Sequence, residues 1–359
     1  MVRASHFQSG KPRVQSGKPR VQSGKLRAPR EKSHINIIGG GIAGSWQALL
    51  LAKAGHHVTL YERSDPAMAD GTSHWAGGML APYCEGEGSE PLITRLGVRS
   101  LALWRREVPS TPFHGSLVVA HARDRSDYER FARMTTNYQR IDHDGLMQLE
   151  PALDGRYRDA LFFAEEGHVE PRRVLPELHD SIRAAGGHIV YGSDVSADDL
   201  DGIVIDCRGI AARDIFPDLR GVKGEEIIVE TDEVELSRPV RLLHPRWPLY
   251  LIPREDHRFM IGATSIERED YGVSVRSALE LLSAAYTVHP AFGEARIVEI
   301  GAGLRPALPD NLPRILIDRH RIAINGLFRH GFLLAPALAE LTLRFIETGA
   351  IDNEVMQCA

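Results

Sequence analysis

Gly39, Gly41 and Gly44 form G-x-G-x-x-G. In that spacing the first glycine makes a tight turn, the second lets backbone approach a pyrophosphate, and the third lets helix and strand pack closely. Free N–H groups at the helix start then face phosphate oxygens. The same chemistry needs an acid at the tip of the next strand to bind a ribose hydroxyl, and Glu62 stands there, 23 residues after Gly39. An acid at that place fits an unphosphorylated ribose, so FAD or NAD rather than NADP. The turn by itself does not separate those two.

The elements that must position the motif surround it. Residues 34–38 (HINII) are a short apolar run that reads as a strand, a helix is expected from Gly44 to about Ala54, Gly55 is a stop, and residues 57–61 (HVTLY) read as a second strand. Strand, helix and strand in about 30 residues make the first unit of a parallel sheet. Further helices are expected near 90–107, 126–136, 171–185, 275–288 and 331–346. Strand-like runs lie at 115–120, 160–164, 188–191, 202–206, 226–230, 249–252, 259–263 and 321–324. No Pro/Ser-rich linker divides the body, so two domains would have to interleave.

Composition narrows the class. The chain has 359 residues, 43% hydrophobic and 25% charged, as in ordinary globular proteins and unlike collagen, coiled coils or wholly disordered chains. No run of about 18 apolar residues occurs, so no transmembrane helix is expected. Cys84, Cys207 and Cys358 are far apart, which argues against a disulfide scaffold and fits a reducing, cytoplasmic setting. The 16 histidines show no H-E-x-x-H or other metal spacing, so no metal site is expected. Residues 1–30 hold eight Lys or Arg and no acid, and Gln-Ser-Gly-Lys repeats in them at 8–11, 15–18 and 22–25. That segment reads as a disordered basic tail. The remaining body is acidic, which argues against nucleic-acid binding by it.

Three further segments carry a resemblance. Thr72-Ser-His-Trp-Ala-Gly-Gly-Met-Leu-Ala-Pro82, Gly303-Leu-Arg-Pro306 and Asn325-Gly-Leu-Phe-Arg-His-Gly-Phe-Leu-Leu-Ala-Pro336 resemble the D-amino-acid oxidase family of FAD enzymes, and within it the glycine oxidase branch of thiamine biosynthesis. Glu150-Pro-Ala-Leu153 and Val204-Ile-Asp-Cys-Arg-Gly209 are similar to family segments as well. The resemblance implies an α/β fold: a Rossmann-type FAD-binding domain from residues 31–85, 155–215 and 300–359, with an interleaved sheet-rich substrate domain from 86–154 and 216–299. It implies that Ile42 and Ala43 follow the glycine turn at the diphosphate and that Glu62 and Arg63 hold the adenosine end. Thr72, Ser73, Gly77, Gly78 and Met79 would line the flavin, and Val195 would meet the adenine. Leu327, Phe328, Arg329, His330, Gly331, Phe332 and Leu333 would wrap the flavin ring, where a helix start near Gly331 favours negative charge. FAD is expected to be noncovalent, because His74 stands one position away from the histidine that anchors it in some relatives.

The resemblance also places the substrate. Arg305 would hold a carboxylate with two parallel hydrogen bonds, helped by Tyr250 in Tyr250-Leu-Ile-Pro253, with Arg329 as a third candidate. The implied reaction oxidises glycine or a similar small amine to the imine. The α-hydrogen leaves as hydride to the flavin and oxygen is reduced to hydrogen peroxide, with no protein base at the carbon. The imine would supply thiazole formation, with thiazole synthase as a partner, and a homo-oligomer is expected. Two alternatives stay open: a D-amino-acid or sarcosine oxidase or dehydrogenase of the same fold, and a non-catalytic dinucleotide-binding protein. Ser265 stands where the glycine oxidase type has a methionine, which would enlarge the pocket.

Overall fold

The computed structural model describes residues 32–244 and 249–358. The basic repeat at 1–30 lies outside the described residues. The glycine motif sits where the sequence puts it, between strand His34–Ile38 and helix Ile42–Lys53, with strand His57–Tyr61 following. These two strands pair in parallel as the fifth and sixth of a seven-stranded sheet. Its order is Met356–Cys358, Arg314–Asp318, Arg321–Asn325, Ile203–Asp206, His34–Ile38, His57–Tyr61 and His188–Val190. All its pairings are parallel except the hairpin of 314–318 with 321–325.

Helix Ile42–Lys53 is buried on all sides, from Ile42 to Ala52 with few exceptions, as its apolar sequence requires. It packs against Gly331–Thr348 and Pro171–Ala184, and Pro91–Glu107 covers Gly331–Thr348. Trp46 meets Trp104 edge to face, centroids 4.8 Å apart. Pro336 lies inside helix Gly331–Thr348 and cannot donate to the carbonyl four residues earlier. That carbonyl, on Phe332, accepts from the Trp104 indole N–H at 3.0 Å. Trp104 and Leu101, expected as core residues of an amphipathic helix, are buried.

The second sheet has eight strands: Arg296–Ala307, Arg220–Glu230, Arg258–Gly262, Leu249–Pro253, Val240–Leu243, Ser116–Ala120, Asp159–Phe163 and Gln139–Asp142. Its pairings are antiparallel except that of 240–243 with 116–120. Residues 159–163 and 300–307, expected with the cofactor-binding segments, pair within this larger sheet. The strand Arg220–Glu230 extends well before the expected 226, and Arg296–Ala307 is a strand that the sequence does not announce. Glycines and a proline weaken its β signal, but they have a use. A Cβ on Gly301 would stand 2.1 Å from the Trp75 ring, and one on Gly224, opposite Gly303, would stand 2.1 Å from the Arg305 guanidinium. Side chains are absent there because an indole and a guanidinium occupy the space.

Candidate functional site

The phosphate-binding turn is built as the motif requires. Gly39 has φ +101°, a conformation that glycine adopts without steric cost. Its N–H donates to the Tyr61 carbonyl at 2.8 Å, and a Cβ on it would meet the Cys207 carbonyl oxygen at 2.6 Å. A Cβ on Gly44 would sit 1.9 Å from the Gly39 carbonyl oxygen. No side chain caps the helix that begins at Ile42, so its first N–H groups have partners only in part; Ile42 N–H donates to Ser73 Oγ at 3.0 Å. Glu62 ends the second strand, nearly buried. Its carboxylate accepts from the N–H groups of Gly40 at 2.6 Å and Ser64 at 2.8 Å.

The loop at 72–79 is tied at both ends. Thr72 Oγ1 donates to the Leu304 carbonyl at 2.7 Å, which joins the loop to the strand that carries Arg305. The Arg254 guanidinium donates to the Gly77 and Val169 carbonyls, both at 2.8 Å. Val169 N–H donates to the Gly78 carbonyl at 2.8 Å. Burial lowers the Arg254 pKa to about 10.

Between turn and loop runs a cavity of about 470 Å³, a size usual for ligand sites. At its far end two arginines line the wall in different states. Arg329 is 2.7 Å from Glu85. Arg305 donates to the Thr264 carbonyl at 2.8 Å, and among the described residues it has no carboxylate within ion-pair distance. Burial lowers its pKa to about 10 against the opposing pull of Glu226. A partly buried guanidinium outside any ion pair is a fitting receptor for an incoming carboxylate. Tyr250 lines the same wall; its hydroxyl donates to Glu85 at 3.0 Å and accepts from Arg241 at 3.2 Å. Burial pushes the neighbouring Cys84 thiol up to about 12, which closes it as a nucleophile.

The comparisons with known proteins agree with this geometry. Residues 34–344 match the family model described as FAD dependent oxidoreductase, the D-amino-acid oxidase (DAO) family. The chain belongs to this family. It is 48% identical to a candidate thiamine biosynthesis oxidoreductase, ThiO, of Rhizobium etli over 85% of this chain and 94% of that protein. It is 27% identical to glycine oxidase of Bacillus subtilis over 89% of this chain and 94% of that one. The solved structure of glycine oxidase from Geobacillus kaustophilus shares the fold, with a TM-score of 0.74, 24% identity, and 88% and 95% of the two chains covered.

The protein is thus an FAD-dependent oxidoreductase, which decides between FAD and NAD. The residues present fit the cofactor: the turn is stripped of side chains where a diphosphate would lie, and an acid closes the second strand. Of the expected residues, Gly39, Gly41, Ile42, Ala43, Glu62, Arg63, Thr72, Ser73, Gly77, Gly78, Met79, Leu327, Phe328, Arg329, Gly331 and Phe332 line this one cavity, together with Arg305, Tyr250 and Ser265. Four expected residues do not. Gly44 lies behind the turn, and Val195 packs against Ile38, Ala197 and Val204. Leu333 faces the core, and His330 is buried beside Glu85 and Ser89. His74 does not line the cavity; it stands edge-on to Trp75.

The sequence reading missed Glu85, Arg241 and Arg254. Each acts through a long-range contact, and the one local hint was that Glu85 follows Cys84 directly after the flavin-loop segment. Its backbone is set by another buried acid. Glu166 accepts from the N–H groups of Tyr83 at 3.0 Å and Cys84 at 2.7 Å, and from Ser116 Oγ. Burial raises its pKa from 4.5 to about 8. Because the folded state binds this proton more tightly, the stabilisation is full below pH 4.5 and is lost as pH rises through about 8. Glu166→Gln should therefore flatten the fall in Tm between pH 5.5 and 8.5. Thermal denaturation at both pH values checks this, and an equal fall in both proteins would refute it.

Proposed function

We propose that this cavity binds glycine, or an amine nearly as small, and oxidises it to the imine with formation of hydrogen peroxide, the imine being used for the thiazole of thiamine. The observation that carries the reading is Arg305: a partly buried guanidinium, in no ion pair among the described residues, on the wall of the cavity that the flavin loop also lines. The names of the Rhizobium etli and Bacillus subtilis relatives support the substrate and the pathway.

FAD, when bound, supplies the hydride acceptor and hands the electrons to oxygen. The chain itself supplies orientation and charge. Arg305 holds the substrate carboxylate with its guanidinium fork, while the Thr264 carbonyl and the space left by Gly224 fix the fork in place. Tyr250 stands beside it, its ring position fixed by Arg241 and Glu85. The titratable groups at this end of the cavity are unsuited to removing a proton from carbon. Burial would raise Glu85, but Arg329, His330 and Arg241 draw it down to about 2, and burial takes His330 down to about 4. A base of such low pKa contributes little at neutral pH. The amine must therefore arrive neutral, having lost its proton to water.

A second reading has one observation in its favour. Ser265, a small residue, lines the cavity, so a larger amine such as sarcosine or D-alanine could enter. The test is anaerobic addition of glycine, sarcosine and D-alanine to the purified holoenzyme, followed by the flavin absorbance. Fastest bleaching with glycine, and peroxide on readmitting air, is the expected result. Bleaching by a larger amine alone would move the function to a sibling oxidase, and no bleaching by any of the three would overturn the reading.

A further inference from the structure

Of the charged side chains that line the substrate end of the cavity, Arg305 and Arg329 are cations and Glu85 is an anion, and the anion is committed to one of the cations. Glu85 lies in the short turn Cys84–Glu87 that follows the flavin loop. Its carboxylate is 2.7 Å from Arg329, accepts from the Tyr250 hydroxyl at 3.0 Å, and lies 3.8 Å from His330. Glu166 holds the backbone just before it through the N–H groups of Tyr83 and Cys84. Glu85 is thus a fixed charge on the cavity wall, and both it and Arg329 act electrostatically on Arg305. The balance leaves room for one negative charge. A substrate carboxylate can neutralise Arg305, but a second carboxylate finds Arg329 already paired and meets Glu85 in the same space, where like charges repel.

We propose that Glu85 is the specificity-determining residue of this site: by neutralising Arg329 it restricts the substrate to amines with a single carboxylate, and without its charge the site accepts dicarboxylic amines. The inference rests on the proposed oxidation of a small amino acid in this cavity. Gln is the informative replacement. Its amide oxygen still accepts from Tyr250, while its NH2 faces Arg329 without pairing with it, so the second guanidinium becomes available to a ligand.

The test uses holoenzyme and two unreactive acids, acetate and malonate, whose binding is read from the perturbed flavin spectrum. The same variants are then assayed with glycine and iminodiacetate. Glu85→Gln is expected to raise malonate affinity relative to acetate at least tenfold, and kcat/KM for iminodiacetate relative to glycine by a similar factor. A smaller change in the malonate-to-acetate ratio overturns the proposal. If Glu85→Gln does not retain flavin, Arg329→Gln decides: with Glu85 left unpaired, acetate should bind at least tenfold more weakly than in the wild-type holoenzyme, and equal affinity overturns the proposal. The binding arms need no turnover. Failure of wild-type enzyme to oxidise glycine would count against the proposed function, whereas an unmoved ratio of two bound acids would count against Glu85.

Discussion

Arg305→Ala is expected to keep FAD and to raise the KM for glycine between ten- and a hundredfold. The hydrogen bonds of a charged pair contribute about 1.5–3 kcal/mol, and each 1.4 kcal/mol is about a factor of ten in affinity. The structure gives the reasons for both halves of the expectation. The guanidinium spends one hydrogen bond on the Thr264 carbonyl and is in no ion pair among the described residues, so truncation removes a receptor without breaking a salt bridge, and Arg254 and Arg172 still act on the buried Glu226. The cofactor loop is held elsewhere, by Thr72 on the Leu304 carbonyl and by Arg254 on Gly77, so flavin should stay. Arg305→Lys keeps charge but loses the planar fork, and should fall between the two. Steady-state kinetics with flavin occupancy measured on the same samples checks this; an unchanged KM in Arg305→Ala would remove Arg305 from the substrate site.

The second large effect is expected at Gly44. A methyl group on Gly44 would lie 1.9 Å from the Gly39 carbonyl oxygen, and that oxygen belongs to backbone rather than to a side chain that can swing away. The helix must move off the strand, which opens the turn where the diphosphate would lie. Overpacking of this kind costs about 1–3 kcal/mol, and more where backbone must shift. Gly44→Ala should therefore purify largely without flavin, and Tm should fall by a few degrees. Gly272→Ala serves as the control, because the nearest atom to its new methyl would be 3.5 Å away, ordinary contact. Full flavin occupancy with an unchanged Tm in Gly44→Ala would contradict the role given to the turn.

Neither Arg305 nor Glu85 could be placed by local pattern. Arg305 sits in Arg296–Ala307, whose glycines at 301 and 303 and proline at 306 read as a loop. The segment is a strand because Arg220–Glu230 supplies a partner along its whole length, and backbone pairing outweighs weak propensity. Its glycines are explained by Trp75, more than 200 residues away in the chain. Pro336 would likewise break an isolated helix, yet Gly331–Thr348 continues through it because the Trp104 indole satisfies the freed Phe332 carbonyl.

The nucleotide end was legible because its physics is local. A strand, a turn without side chains, a helix and an acid must follow one another in about 30 residues, and Gly39, Gly41, Gly44 and Glu62 do so. The sequence by itself therefore determined the dinucleotide-binding unit, and its resemblance to an oxidase family brought Arg305, Tyr250 and Arg329 together as candidates. Only the tertiary structure distinguished them. It paired Arg329 with Glu85, left Arg305 out of any ion pair among the described residues, and tied the Tyr250 hydroxyl between Glu85 and Arg241. Which cation is free depends on which acid lies within a few ångströms of it. The chain sets that distance only by folding, because Coulomb attraction follows separation in space and the local dielectric rather than separation in sequence.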